Sequence, residues 1–153
     1  MPVSNQLPER PNSVPQFACV CGNVRRASRV ITQFYDACFQ GSGYTIAQFG
    51  LLNALAITKI ATQAQLGAIL SIDPTTLSRN LRPLLRKKWI RRIPGSDRRE
   101  QYVQLTALGR KQFKQARPTW LRAQARVRES LGDESWNHLQ ALLTKAVEAV
   151  QKA

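Results

Sequence analysis

The stretch from Asp73 to Gln104 limits what this chain can fold into more than any other. It opens Asp73-Pro-Thr-Thr-Leu-Ser-Arg-Asn-Leu-Arg-Pro-Leu-Leu-Arg-Lys-Lys-Trp89 and continues Ile90-Arg-Arg-Ile-Pro-Gly-Ser-Asp-Arg-Arg-Glu-Gln-Tyr-Val-Gln104. Asp73 carries a side-chain oxygen suited to capping a helix, and Pro74 stands at the first helical position, where a missing N–H is no loss. Leu77, Leu81, Leu84 and Leu85 keep one apolar face, which turns Thr75, Ser78, Arg79 and Arg82 outward. Pro83 should kink or weaken this helix near Arg79, because it has no N–H to return to that carbonyl. Two short β-rich runs follow, Trp89–Ile93 and Gln101–Leu105, joined by the polar turn Pro94-Gly-Ser-Asp-Arg-Arg99, which is a hairpin pattern. A capped basic helix, a strand, a basic turn and a second strand is the order of parts in a recognition helix followed by a β-wing.

The neighbouring segments agree with that order. Thr45 and Gln48 make a capping box ahead of Phe49, Leu52 and Leu55, and Thr62 and Gln65 repeat it before Leu66, Ile69 and Leu70. Two short helices across a tight turn, the second basic and hydroxyl-rich, form a helix-turn-helix pattern. Upstream, Phe17, Cys21, Val24, Ser28, Ile31, Tyr35 and Cys38 predict a helix over 16–39. Downstream, Thr106 caps a long helix to about Leu131, interrupted by Pro118. A last helix follows, with Trp136, Leu139, Leu143, Ala146 and Val150 on one face.

The expected fold is mainly α with a small β-wing. It comprises a winged helix-turn-helix over 45–105, a helical dimerisation domain from 16–44 and 106–153, and a flexible arm over 1–15. The stripes on the terminal helices exceed what one small winged-helix core can cover, so they call for a second copy; folding back on the same chain is the alternative.

Charge adds the partner class. The net charge is +14 with 23 Lys/Arg against 9 Asp/Glu, which makes a polyanion the default partner. Residues 73–105 are the densest third, with nine basic and three acidic residues. Thr75, Thr76 and Ser78 can contact either kind of base edge, Arg79 and Arg82 can pair bidentately with guanine, and Arg86, Lys87 and Lys88 suit phosphates. Thr76 is the ambiguous member, since it sits at the edge of the buried face. In the hairpin, Arg98 and Arg99 can enter a minor groove, while Asp97 braces the turn. The rival readings are a solvated basic face, a non-sequence-specific architectural or RNA-directed binder, or a thiol-based redox protein that does not bind DNA. Few aromatics stand in the basic region, which disfavours stacking on single strands.

These residues resemble the MarR family of winged-helix transcription regulators. The resemblance rests on Thr45-Ile-Ala-Gln-Phe-Gly-Leu-Leu52, Asp73-Pro-Thr-Thr-Leu-Ser-Arg-Asn-Leu81, Asp97-Arg98-Arg99 and Leu105-Thr-Ala-Leu-Gly-Arg110, and it spans about residues 16–150. It implies a homodimer on a pseudo-palindromic double-stranded operator, and most often a repressor released by a small ligand or by thiol oxidation. A departure is Trp89, where the family often has Gly before the wing.

For the effector, the resemblance suggests a small aromatic molecule between the two domains, or an oxidant. Cys21 and Cys38 fall on the apolar stripe and read as small hydrophobes. Cys19 lies off it, near a helix N-terminus and Arg25 and Arg26, features that favour a reactive thiol; pairing with Cys38 across a dimer is the form such sensing would take. Within one helix the two are about 28 Å apart at roughly 1.5 Å per residue. Three cysteines fit a reducing cytoplasm rather than a disulfide framework. No metal site is expected, the lone His138 being remote from other ligands, and no cofactor. No paired carboxylate, nucleophile set or phosphate-cradling loop points to an enzyme, and no run is apolar enough for a membrane span.

Overall fold

The computed structural model describes residues 19–95 and 101–152, so the arm over 1–15 and the start of the predicted first helix lie outside the described residues. In chain order the elements are α1 (Val20–Cys38), α2 (Ile46–Thr58), β1 (Ile60–Thr62), α3 (Gln63–Leu70), α4 (Pro74–Arg86), β2 (Ile90–Pro94), β3 (Gln101–Leu105), α5 (Ala107–Leu131) and α6 (Asp133–Gln151). The protein is mainly helical with one small antiparallel sheet in the order β1-β3-β2.

The caps form as the sequence dictates. Thr45 accepts the Gln48 N–H at 3.3 Å while the Gln48 side chain accepts the Thr45 N–H. Thr62 and Gln65 do the same at the start of α3. A further acceptor comes from α1: Asp36 Oδ1 takes the Ile46 N–H at 2.7 Å, satisfying a helix-start donor of α2 from another element.

Pro83 does not break α4, although it has no N–H to return to the Arg79 carbonyl. The helix is continuous from Pro74 to Arg86, and the Lys87 N–H bonds the Pro83 carbonyl at 3.0 Å. An interior proline costs a helix about 3 kcal/mol, so packing must hold it. Leu77, Leu81 and Leu84 are buried to 1% exposure or less against α2, α3 and the sheet.

The helix exit carries no glycine. The Lys88 N–H bonds the Leu85 carbonyl and the Trp89 N–H the Leu84 carbonyl, both at 3.0 Å. That is the paired pattern that normally places glycine at the left-handed position. Here Lys88 takes it, at φ 57°, one residue before Trp89. Trp89 itself is a buried core side chain.

Strand β1 was not expected. Its three residues are too few to show alternation, and only the register Ile60↔Gln104, Ala61↔Val103, Thr62↔Tyr102 makes them a strand. β2 pairs β3 from Ile90↔Leu105 to Pro94↔Gln101.

Two cores meet at α2. The larger joins α2, α3, α4 and the sheet; the smaller joins Phe39, Phe49 and Ala116, with Phe113 and Trp120 packed against it. Phe49 stacks on Phe113 and on Trp120 with centroids 5.3 and 5.7 Å away, and Tyr44 bridges Phe39 to Trp89 by edge contacts. The terminal helices contrast with this. α6 packs on α5 yet has no buried residue, and its Leu143 is 42% exposed. Val24 and Ile31 on α1 are also exposed.

Candidate nucleic-acid interface

Helices α3 and α4 meet across a tight corner. Ser71 takes a left-handed conformation at φ 50°, and the Ile72 N–H bonds back to the Gly67 carbonyl at 2.9 Å. A Cβ on Gly67 would lie 3.0 Å from the Ile72 carbonyl oxygen, a tight contact that the corner would have to open slightly to admit. Asp73 then starts α4, its Oδ1 accepting the Thr76 N–H at 2.9 Å. Hydrogen bonds from Thr76, from its side chain first and its backbone second, hold the Asp73 carboxyl below the ordinary carboxylate range.

The outward face of α4 follows from the buried one. Thr75, Ser78, Arg79 and Arg82 are exposed and, with Pro74, line a shallow surface hollow that contains no acidic residue. Thr76 is half-buried and engaged with Asp73, so its hydroxyl is less free than those of Thr75 and Ser78. Arg86 is exposed in the last turn.

Lys87, expected at a phosphate, is exposed and folds back along the surface. Its ammonium donates to the Gly43 carbonyl and lies 4.5 Å from the centre of the Trp89 ring. Lys88 is exposed. At the base of the wing, Arg91 reaches across the register to Gln104, with Nε 3.3 Å and Nη2 2.9 Å from the same Oε1. Sequence reasoning did not single out this pair, because it exists only once Arg91 and Gln104 are in register. Arg92 beside it is exposed. The predicted wing residues Asp97, Arg98 and Arg99 lie outside the described residues.

The wing is anchored through Thr106. Its hydroxyl lies 2.7 Å from the Lys88 carbonyl and accepts the Gly109 N–H at 2.9 Å, and its own N–H bonds the Trp89 carbonyl. The end of α4 and the start of α5 are thereby tied together.

The cysteines are all free thiols. Cys19 is exposed at the cap position of α1, in extended backbone, and so is not itself helical. Cys21, expected to be a buried hydrophobe, is exposed in the single chain, whereas Cys38 is half-buried with Sγ 3.9 Å from Arg126 Nη1. The two predicted sensor residues, Cys19 and Cys38, flank opposite ends of α1. Tyr35, beside Cys38, has its phenol raised, first by burial and then by that thiol. Among the described residues no three His, Cys, Asp or Glu side chains are placed to hold a metal ion, and no helix is long and apolar enough to cross a membrane. His138 is exposed.

A helix-turn-helix whose second helix shows hydroxyls and guanidinium groups to solvent, followed by a paired β-ribbon, defines a winged helix-turn-helix protein. Residues 42–100 match the sequence profile of the MarR family. The M. tuberculosis transcriptional regulator MosR, solved in complex with DNA, is 36% identical, with 86% of this chain and 98% of that one covered and a TM-score of 0.74. A second MosR structure is 31% identical, covers 89% and 98% of the two chains, and has a TM-score of 0.78. The HTH-type transcriptional regulator YwoH of Bacillus subtilis is 23% identical over 119 residues, 76% of this chain and 87% of its own length. The chain belongs to the MarR family of transcription regulators, which are not enzymes.

Proposed function

We propose that this protein is a homodimeric regulator that binds double-stranded DNA sequence-specifically, represses its targets, and releases the DNA when an effector changes the spacing of its two recognition helices. The observation carrying this reading is the division of α4. Leucines anchor one side in the core, and Thr75, Ser78, Arg79 and Arg82 stand uncovered on the other. Those side chains are the ones that read base edges in a major groove. The DNA complex of the 36% identical MosR supports the same use of the fold.

Residues 45–105 would form the DNA-binding unit, and 16–44 with 106–153 the dimerisation unit. The uncovered apolar faces of α1 and α6 support pairing of two copies, which would place two recognition helices on a pseudo-palindrome about one helical turn apart. The protein would work in the cytoplasm, where its DNA is. As effector we favour a small aromatic molecule; an oxidant acting on Cys19, with Cys38 of a second copy as partner, is the other candidate.

The test is binding to the DNA upstream of the protein's own gene against a shuffled duplex of equal length, near physiological salt. A preference of about a thousandfold is expected. Equal, salt-sensitive affinity for that duplex and for the best sequences selected from a random pool would reduce the protein to an architectural binder.

A further inference from the structure

The exit of the recognition helix closes on the loop that ends α1. Trp89 meets Tyr44 edge-on with ring centroids 5.5 Å apart, and Tyr44 meets Phe39, the C-cap residue of α1, at 5.3 Å. Phe39 and Trp89 are both buried, so this aromatic row is a fixed surface. Lys87, the C-cap residue of α4, lies over it. Its ammonium stands 4.5 Å from the centre of the Trp89 ring and donates to the Gly43 carbonyl. On the other side of the loop, Asp36 of α1 accepts the Ile46 N–H at 2.7 Å. A chain of contacts thus runs from α1, through the loop, to the residues between α4 and β2.

Charge alone would assign Lys87 to a phosphate, as one more cation at the end of a basic helix. Its surroundings oppose that use. The ammonium already spends a donor on Gly43, and its charge already faces an electron-rich ring. The loop it grips is itself held in shape. Gly43 presents its carbonyl at φ 81°, a state glycine adopts without strain. The Ser42 hydroxyl and the Ser42 N–H both bond the Phe39 carbonyl, at 2.5 and 2.9 Å. An exposed contact of this kind adds little to folding stability. What it can fix is direction, because it joins two segments 44 residues apart.

We propose that Lys87 is a positioning residue for DNA binding: it clasps the recognition helix to the loop that ends α1, and so sets the angle at which that helix is presented without touching the duplex. Leu77, Leu81 and Leu84 fix α4 to α2, α3 and the sheet, so these elements turn as one body and the loop is where they turn against α1. Thr75 lies 12 residues before Lys87, roughly 18 Å along the helix at about 1.5 Å per residue. A swing of about 5° at the clasp would move Thr75 by about 1.5 Å, more than a hydrogen bond to a base edge tolerates. The inference rests on the two-copy reading proposed above, in which this angle sets the separation of two recognition helices. A loosened clasp would then cost discrimination between half-site spacings and leave the contacts to each half-site intact.

The experiment compares the full chain as wild type, Lys87→Met and Lys87→Arg on duplexes built from a half-site selected out of a random pool. One duplex carries a single half-site, a second carries inverted copies about 10 base pairs apart, and a third moves those copies apart by about 2 more. Wild type should bind the third at least about tenfold more weakly than the second. Lys87→Met keeps the stem over Trp89 without charge or donor, and its loss should shrink to less than about threefold. Its affinity for the single half-site and its salt dependence should match wild type. Lys87→Arg can still donate to Gly43 and lie on the ring, and should discriminate as wild type does. Unchanged discrimination in Lys87→Met would overturn the proposal. So would weaker binding to the single half-site with a salt dependence lower by about one counterion, the mark of a phosphate contact. Amide hydrogen exchange of the free protein keeps the clasp apart from the pairing of copies. Lys87→Met should speed exchange at the Ser42 N–H by about tenfold and leave Leu81 and Leu84 unchanged. That local loosening in a protein whose wild type ignores spacing would sink the two-copy reading and keep the clasp, whereas equal exchange would sink the clasp whatever the DNA shows.

Discussion

The carbonyl oxygen of Trp89 occupies the space that a Cβ on Gly109 would need. An added methyl would lie 1.8 Å from that oxygen, and the obstacle is backbone, which has no rotamer to change. Gly109 therefore lets α5 start against the exit of α4. Gly109→Ala should destabilise the protein by at least about 2 kcal/mol through overpacking, read as a lower urea midpoint with little change in slope. A loss no larger than that of an ordinary surface substitution would show that the approach is not tight.

Position on α4 should separate two kinds of DNA contact. Arg82→Ala should cost about 1–3 kcal/mol on the preferred sequence and relax discrimination at one base position. Arg86→Ala should weaken all duplexes by a similar factor and lower the salt dependence by about one counterion. Titrations at three salt concentrations on matched and mismatched duplexes would decide it; the reverse pattern would exchange the two roles.

Asp73 links pH to the start of the recognition helix. Its folded carboxyl titrates below the ordinary aspartate value because Thr76 bonds the charged form. A depressed carboxyl contributes stability that is complete above the unfolded value and is lost as pH falls through the folded one. The stability difference between wild type and Asp73→Ala should thus be constant near neutrality and shrink only below about pH 4. Carbon-detected NMR titration of the Asp73 carboxyl gives the midpoint directly, and a value at or above the ordinary one would remove the argument.

The uncovered faces of the terminal helices make a prediction about assembly. Leu143→Glu places a charge on the α6 stripe, at a position 42% exposed in the single chain. A solvent-facing substitution of this kind changes stability by no more than about 0.5 kcal/mol. If the face is a dimer contact, sedimentation at micromolar concentration should instead show the mass of one chain where wild type shows two. An unchanged dimer would place the interface elsewhere.

Much of this architecture is written locally. Thr45 with Gln48, Thr62 with Gln65 and Asp73 with Pro74 declare three helix starts within four residues each, and the α4 leucines declare its buried side. What stayed hidden depends on distant segments. Lys87 reads as a free cation until Gly43, 44 residues away, accepts its ammonium. β1 is three residues with no pattern until β3 lies beside it. The left-handed turn at Lys88 was masked because a lysine stands where glycine would have announced it. Pro83 is a local cost to α4, and the leucine packing that overrides it is not local.

That override has an evolutionary consequence. Because α4 is held by its cap and by Leu77, Leu81 and Leu84, its outward side chains contribute little to keeping the helix in place. With those side chains reading DNA as proposed, mutation at Thr75, Ser78, Arg79 or Arg82 would explore new target sequences without threatening the fold. A gene duplicate of this protein could acquire a different regulon through a few codons, while the scaffold that presents them is inherited intact.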